Sequence, residues 1–584
     1  MDTGTGSARR RHGGPVSARV YGPLDGDLLE RFASWEARVA RPGLPQDGYV
    51  VRRGPSGDTV RTHPGERVVR EYRSRAVVLG ARADGPALVA AVSPDESARM
   101  EIVRPGGDPV PVVGARFRGE QATWRDERTA VVTAESRAVV GVVDAAGGHW
   151  RPLGIPAGRR LSVSPAGILT LRPDGVRALF SLSGHPLGEV PADTISVVAE
   201  TPEAPLVVVR RSGIDLHRRG GLSAAPVRWR APGTVWGASV GERGVVVLTV
   251  EHGRHVLTLV DPSGRDRERR AVGGDPGEDI CSVGALSSSR GEVHVLVEGF
   301  ATPPVAQRFP FATVPSTPGL CTRMLTAGTE DGAQVQIVVT APAGDPRPRP
   351  LLLDVYGGFG VPSLPRFEPT TAAWTSCGGA VALAQVRGGG EHDERWRRAG
   401  RGTGKLRTVD DLATAARALT AAGVSSPDGT VLTGGSLGGV VAAACALRHP
   451  DVAAGVVATA APLDLARLRE NPLGHRWVAE FGDPDDDGAA VARYDPTALA
   501  GAHRPRPGAA PAFLALGLAD DTRVAPGQAA RFVEILRGAG ADASHIRIDR
   551  AGHGANTPDA LRELGIAFLA FARRVVSRPP RSTP

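Results

Sequence analysis

In VLTGGSLGGVVAAACALRHP (431–450), a single serine, Ser436, sits between two pairs of glycines. An apolar run precedes it and an alanine-rich run follows, so the glycines form the turn between a buried strand and a helix. In so tight a turn a neighbouring Cβ would strike the strand or the helix. Glycine removes the collision, and the strained backbone holds the hydroxyl clear of the sheet. The pattern Gly434-x-Ser436-x-Gly438 therefore suits a nucleophile, with the Leu437 N–H at the helix start facing the oxyanion that forms on an attacked carbonyl. A serine hydroxyl needs a base, and the base needs an acid to orient it, in the chain order serine, acid, histidine. PAFLALGLADDTRVAP supplies Asp520 and Asp521 at a strand end, and IRIDRAGHGANTP supplies His553 on the loop after the next strand. His449, His475, His503 and His545 fall in helices, loops or strand edges, whereas glycines flank His553. The expected chemistry is acyl transfer from Ser436, with His553 as base.

The elements that must hold these groups fall into three regions. After about residue 313, strand-like runs (PLLLDVYG, AVALAQV, TVLTGG, AAGVVATAA, PAFLALG, HIRIDR) alternate with helical stretches such as TVDDLATAARALTAAG and DALRELGIAFLAFARRVV. That alternation predicts a mostly parallel sheet with helices on both faces, an α/β-hydrolase domain over 313–584. Over 66–312, short apolar runs such as RTAVVTAES and GVVVLTVEHG alternate with Gly, Pro and Asp turns, predicting an all-β sandwich or propeller. At about 40 residues per blade the span holds roughly six blades. Over 1–65, DGDLLERFASWEARVARPG places Leu28, Phe32, Trp35 and Val39 at helical spacing. Asp27 and Glu30 are spaced as a capping pair and Pro42–Gly43 ends the pattern, giving a short amphipathic helix that docks on the hydrolase domain.

Composition removes several functions. The formal charge of +8 invites nucleic acid, but Lys405 is the only lysine and the arginines are scattered among nearly as many acids. No nucleic-acid partner is expected. No apolar run is long enough to span a bilayer, and the basic N-terminus lacks the apolar core of a secretory signal, so the expected chain is cytoplasmic with no membrane partner. Cys281, Cys321, Cys377 and Cys445 are far apart and form neither a disulfide framework nor a zinc motif; Cys445 reads as a small buried apolar residue. GRGTGK, ending at Lys405, fails as a phosphate loop because Ala399 occupies the required glycine position and Leu406 follows the lysine. The run Asp483–Asp487 lacks the glutamate and spacing of a calcium loop. No metal and no cofactor are expected.

The chain resembles the prolyl oligopeptidase family of serine peptidases. YGGFG (356–360), VRGGGEHDERWRRAGR (386–401), GGSLGG (434–439), GHRWVAEFGDP (474–484), DDTRVAP (520–526) and AGHG (551–554) occur in the family's order and spacing. The resemblance implies a propeller inserted between an N-terminal segment and the hydrolase core. It selects Asp521 over Asp520 as the acid and implies that Arg523 binds a substrate backbone carbonyl. It also implies that Tyr356 completes the oxyanion hole beside the Leu437 N–H. Trp477 would stack on a substrate proline, with Phe481, Phe359 and Val524 lining the same pocket. Two features depart from the family: leucine follows the nucleophile where asparagine is usual, and the propeller region is shorter. The expected activity is hydrolysis of oligopeptides or a precursor peptide after proline by a monomeric enzyme. The alternatives are a hydrolase of broader preference, a transpeptidase that closes macrocycles, or a non-catalytic propeller binding protein.

Overall fold

The computed structural model describes residues 26–579 apart from 39–43, 45–48, 55–56, 64, 66, 82–84, 94, 96, 118–120, 135–136, 157, 202–203, 219–220, 275–277, 301, 315, 345–346, 504–509 and 555–556. Among the described residues, seven antiparallel sheets follow one another along the chain. Their strands span Tyr49 to Tyr72, Arg75 to Pro111, Ala122 to Pro152, Arg159 to Val190, Thr194 to Arg230, Thr234 to Ala271 and Ser282 to Phe309. The first and last have three strands and the others four. Side chains that alternate along a strand serve two neighbouring sheets. In GVVVLTVE, Val245 and Val247 pack with Val207, Val209 and Trp229 of the preceding sheet. Val246 and Leu248 pack with Val283, Val295 and Val297 of the following one. Residues from the first strands of the second to seventh sheets line one shared cavity of about 470 Å³, as in a propeller whose innermost strands face a central channel.

Two expectations are corrected here. The sheets number seven rather than six, and the first begins at Tyr49, inside the stretch read as a helical segment. The missed strands, YVVRRG, GDTVRT and VVREY, are rich in charge, and VVREY is partly exposed along its length, so the apolar signal is weak.

The C-terminal region forms one eight-stranded sheet. Its strands are β1 (Leu320–Gly328), β2 (Gln334–Pro342), β3 (Leu351–Val355), β4 (Ala380–Gln385), β5 (Thr430–Gly435), β6 (Gly455–Thr459), β7 (Ala512–Leu518) and β8 (Ala543–Ile548). Their spatial order is β1-β2-β4-β3-β5-β6-β7-β8. β1–β2 and β2–β4 are antiparallel and every other pair is parallel. Strands β3 to β7 are buried almost throughout, which is why they read as continuous apolar runs, whereas β1 and β8 are partly exposed. Leu351, Leu353 and Val355 point into a core shared with the helices Lys405–Ala421 and Leu437–Arg448, while Leu352 points into a second core with the helix Pro558–Val576. The fold is an α/β hydrolase with a propeller.

Helix α1 (Gly26–Arg38) belongs to that second core through Leu28 and Phe32, and the Trp35 ring lies 5.8 Å from that of Phe367. Because α1 begins at Gly26, Asp27 lies within the first turn, where it pairs with Arg31 at 2.9 Å instead of capping with Glu30. Val39 and the Pro42–Gly43 stop lie outside the described residues. Among the described residues, no helix is long and apolar enough to cross a membrane. Propeller and hydrolase sheets meet directly: Gln385 Nε2 donates to Gly253 O at 2.8 Å, and Gly253 N donates to Glu391 O at 3.3 Å.

Candidate active site

The turn after β5 carries Ser436, at φ 54° and ψ −121°, immediately before helix α3 (Leu437–Arg448), the next α-helix after α2 (Lys405–Ala421). A left-handed φ on a non-glycine residue costs of order 1–3 kcal/mol and persists only where the surroundings enforce it. Here they do. A Cβ on Gly434 would lie 2.3 Å from the backbone of Gly438, and one on Gly438 would lie 2.1 Å from Val355 O. Strand and helix therefore touch backbone to backbone, and the serine is left at the crest. Leu437 is fully buried, and its N–H belongs to the first turn of α3, where donors lack intrahelical acceptors.

Asp521 follows β7 and His553 follows β8. His553 Nδ1 lies 2.8 Å from Asp521 Oδ2, and the two side chains are 11% and 2% exposed. The other carboxylate oxygen accepts the backbone N–H groups of Arg523 at 2.8 Å and Val524 at 3.0 Å. Both oxygens are thus committed, and the carboxylate is fixed in place. With Nδ1 engaged by the aspartate, Nε2 is the ring nitrogen left for a substrate-side proton. Asp520 is exposed, with its backbone N–H on Ala551 O at 2.9 Å. His449, set aside in the sequence, lies 3.0 Å from Asp410.

One cavity of about 230 Å³ is lined by Tyr356, Phe359, Ser436, Pro462, Leu473, Trp477, Phe481, Arg523 and His553. Its volume fits a single side chain rather than a drug-sized ligand. Phe481 is buried at the centre of an aromatic group, its ring 6.3 Å from those of both Phe359 and Trp477. No carboxylate lines the cavity, so a lysine or arginine side chain would enter without a counter-charge. The Tyr356 hydroxyl is pushed above its usual range, first by burial and then by the nearby Glu480 carboxylate, against a smaller opposing pull from Arg523. Tyr356 therefore remains a proton donor at neutral pH.

Val524 is buried but stands outside the set lining the cavity, and the contact it makes to the site is the N–H on Asp521. The sequence reading missed Pro462 and Leu473, which complete the apolar wall. It also missed Asn471, buried, whose Oδ1 accepts Ala525 N at 2.9 Å and so ties the Asp521 loop to the segment before helix α4 (Gly474–Phe481). The adjoining Asp483 and Asp485 pair with Arg469 at 2.7 and 3.0 Å.

Residues 365–578 match the model of the prolyl oligopeptidase family. An uncharacterized peptidase of Sinorhizobium fredii is 28% identical over 322 residues, covering 52% of this chain and 43% of the relative. A prolyl oligopeptidase of Omphalotus olearius is 30% identical over 322 residues, covering 49% of this chain and 42% of the relative. The chain thus spans less than half the length of these curated relatives in its matched part. Among solved structures, a post-proline cleaving enzyme from Rickettsia typhi superposes with a TM-score of 0.76 at 14% identity, over 96% of each chain. A prolyl endopeptidase structure gives 0.74 at 19%, over 96% of this chain and 93% of the other. The prolyl oligopeptidase family is thus matched over residues 365–578, and the two-domain fold is matched through nearly the whole length of the chain.

Proposed function

We propose that the protein is a serine peptidase that cleaves oligopeptides on the carboxyl side of proline through an acyl-enzyme. One observation carries the reading: Ser436 and His553 line a single cavity, with Asp521 bonded to the imidazole from behind at 2.8 Å. In this reading Ser436 attacks the carbonyl and His553 takes the hydroxyl proton. His553 then gives that proton to the leaving amine, while Asp521 steadies the imidazolium. Tyr356 and the Leu437 N–H receive the oxyanion, and Arg523 holds an upstream substrate carbonyl. Water then releases the acid. The carboxylate-free cavity walled by Trp477, Phe481 and Phe359 supports proline as the residue before the cut, since a flat ring packs against aromatic faces at little entropic cost. The names of the relatives support the same preference. The proposal extends to a monomeric, cytoplasmic enzyme with peptide substrates and no nucleic-acid or membrane partner.

The direct test is labelling by a fluorophosphonate, which reacts with an activated serine. Mass analysis is expected to place the adduct on Ser436, with the label abolished in Ser436→Ala and slowed by several orders of magnitude in His553→Ala. An unlabelled wild type, or an adduct on another serine, would reject the reading.

A further inference from the structure

Lys405, the only lysine of the chain, is completely buried. It opens helix α2, and its Nζ donates to Gly357 O at 3.0 Å and to Glu480 Oε1 at 2.7 Å. Gly357 directly follows Tyr356. Glu480 lies on α4 between Trp477 and Phe481 and is 5% exposed. One ammonium group therefore joins the loop that bears the tyrosine to the helix that walls the pocket. The loop has little room to move between them: a Cβ on Gly358 would lie 2.3 Å from Leu437 Cδ1 and 2.9 Å from Glu480 Oε1.

A buried pair of this kind is expensive in solvation, and well-packed apolar residues would serve stability as well or better. Its placement gives it another use. Glu480 is close enough to act electrostatically on the Tyr356 hydroxyl, the group that would receive the oxyanion. An uncompensated carboxylate there would oppose the negative charge that develops during attack, in a dry site where such fields are strong. Arg401 also acts on Lys405, its Nε donating to Ala479 O at 2.7 Å, and Arg523 acts on Tyr356 from the cavity wall.

We propose that Lys405 is a positioning residue for the oxyanion site: it pins the Tyr356–Gly360 loop to α4 and neutralises Glu480, so that the carboxylate braces the loop without repelling the oxyanion. The inference rests on the reading of Tyr356 as an oxyanion donor. It also gives Lys405 a role unrelated to the phosphate loop that GRGTGK superficially resembles.

The test compares wild type, Lys405→Met and Lys405→Met/Glu480→Gln on a blocked peptide amide ending in proline, with fluorophosphonate labelling of Ser436 as a control. Lys405→Met is expected to lower kcat by roughly 100-fold while KM stays within about threefold, the signature of an interaction felt in the transition state. The double variant carries no unpaired buried charge but still lacks the Gly357 bond, so its kcat should recover to within roughly tenfold of wild type. A purely structural role would not produce the rescue. Wild-type kcat in Lys405→Met, or a folded double variant that is fully active or no better than the single one, overturns the proposal. If wild type shows no turnover that depends on Ser436, the underlying reading fails and takes this proposal with it.

Discussion

Protonation at this site is set by packing as much as by sequence. Tyr356 keeps its proton because its ring is buried beside a carboxylate, and two other acids are held in the neutral direction chiefly by burial. Glu391, completely buried with Ser363 N donating to it at 2.6 Å, is raised to about 7, and Asp354, bonded by Thr433 Oγ1 at 2.9 Å, is raised to about 6. A carboxyl that binds its proton more tightly folded than unfolded contributes stability that is fully present below the unfolded pKa and is lost as pH rises through the folded one. For Glu391 the move from its ordinary 4.5 to about 7 corresponds to about 3 kcal/mol, lost across that interval. Glu391→Gln keeps the acceptor for Ser363 N and removes the titration. The wild-type urea midpoint is expected to fall more than that of Glu391→Gln between about pH 5 and about pH 8. Parallel curves for the two proteins would show that Glu391 does not carry this dependence. The sequence pointed to Ser436 and His553 because chain order and flanking glycines are local features, and to Asp521 through the family's motif. It could not disclose Lys405, since a lysine among glycines and arginines reads as solvated until the Gly357 and Glu480 oxygens come together around it.

Among the elements, the strand–turn–helix around Ser436 follows most directly from its residues. Five letters, GGSLG, place a hydroxyl at a crest because two backbones touch beneath it. The glycines are unequal, however. Nothing lies within 4 Å of a Cβ built on Gly435, whereas one on Gly438 would meet Val355 O at 2.1 Å. Gly435→Ala is therefore expected to retain kcat/KM within about threefold, and Gly438→Ala to lose at least about 100-fold together with several degrees of melting temperature. Equal behaviour of the two variants would contradict the close-approach account. The α1 helix was legible for a similar reason, its Leu28–Phe32–Trp35 stripe being periodic, whereas its start was not: the helix already begins at Gly26, which puts Asp27, read as a cap, inside the first turn. The placement of Val524 shows the same limit: a motif gives a residue's neighbours along the chain, and only the fold decides which of them face the cavity.

Over the whole molecule, two kinds of burial were read with different success. The inner strands of the hydrolase sheet are covered on both faces, so they are apolar nearly throughout and their order along the chain follows from alternation with helices. A propeller blade instead divides its apolar residues between two neighbours, and its strands are short. The charged first sheet from Tyr49 carried too weak a signal to be separated from the segment before it. The two domains meet through Gln385, Gly253 and Glu391, which places the GGGEH stretch at the boundary between propeller and catalytic sheet. The decisive measurement is kcat/KM for blocked dipeptide amides ending in Pro, Ala, Arg or Phe, with Ser436→Ala beside wild type. The account predicts that Pro exceeds the others by at least roughly tenfold and that Ser436→Ala abolishes every rate. Arg or Phe equal to Pro, or turnover that survives the loss of Ser436, would contradict it.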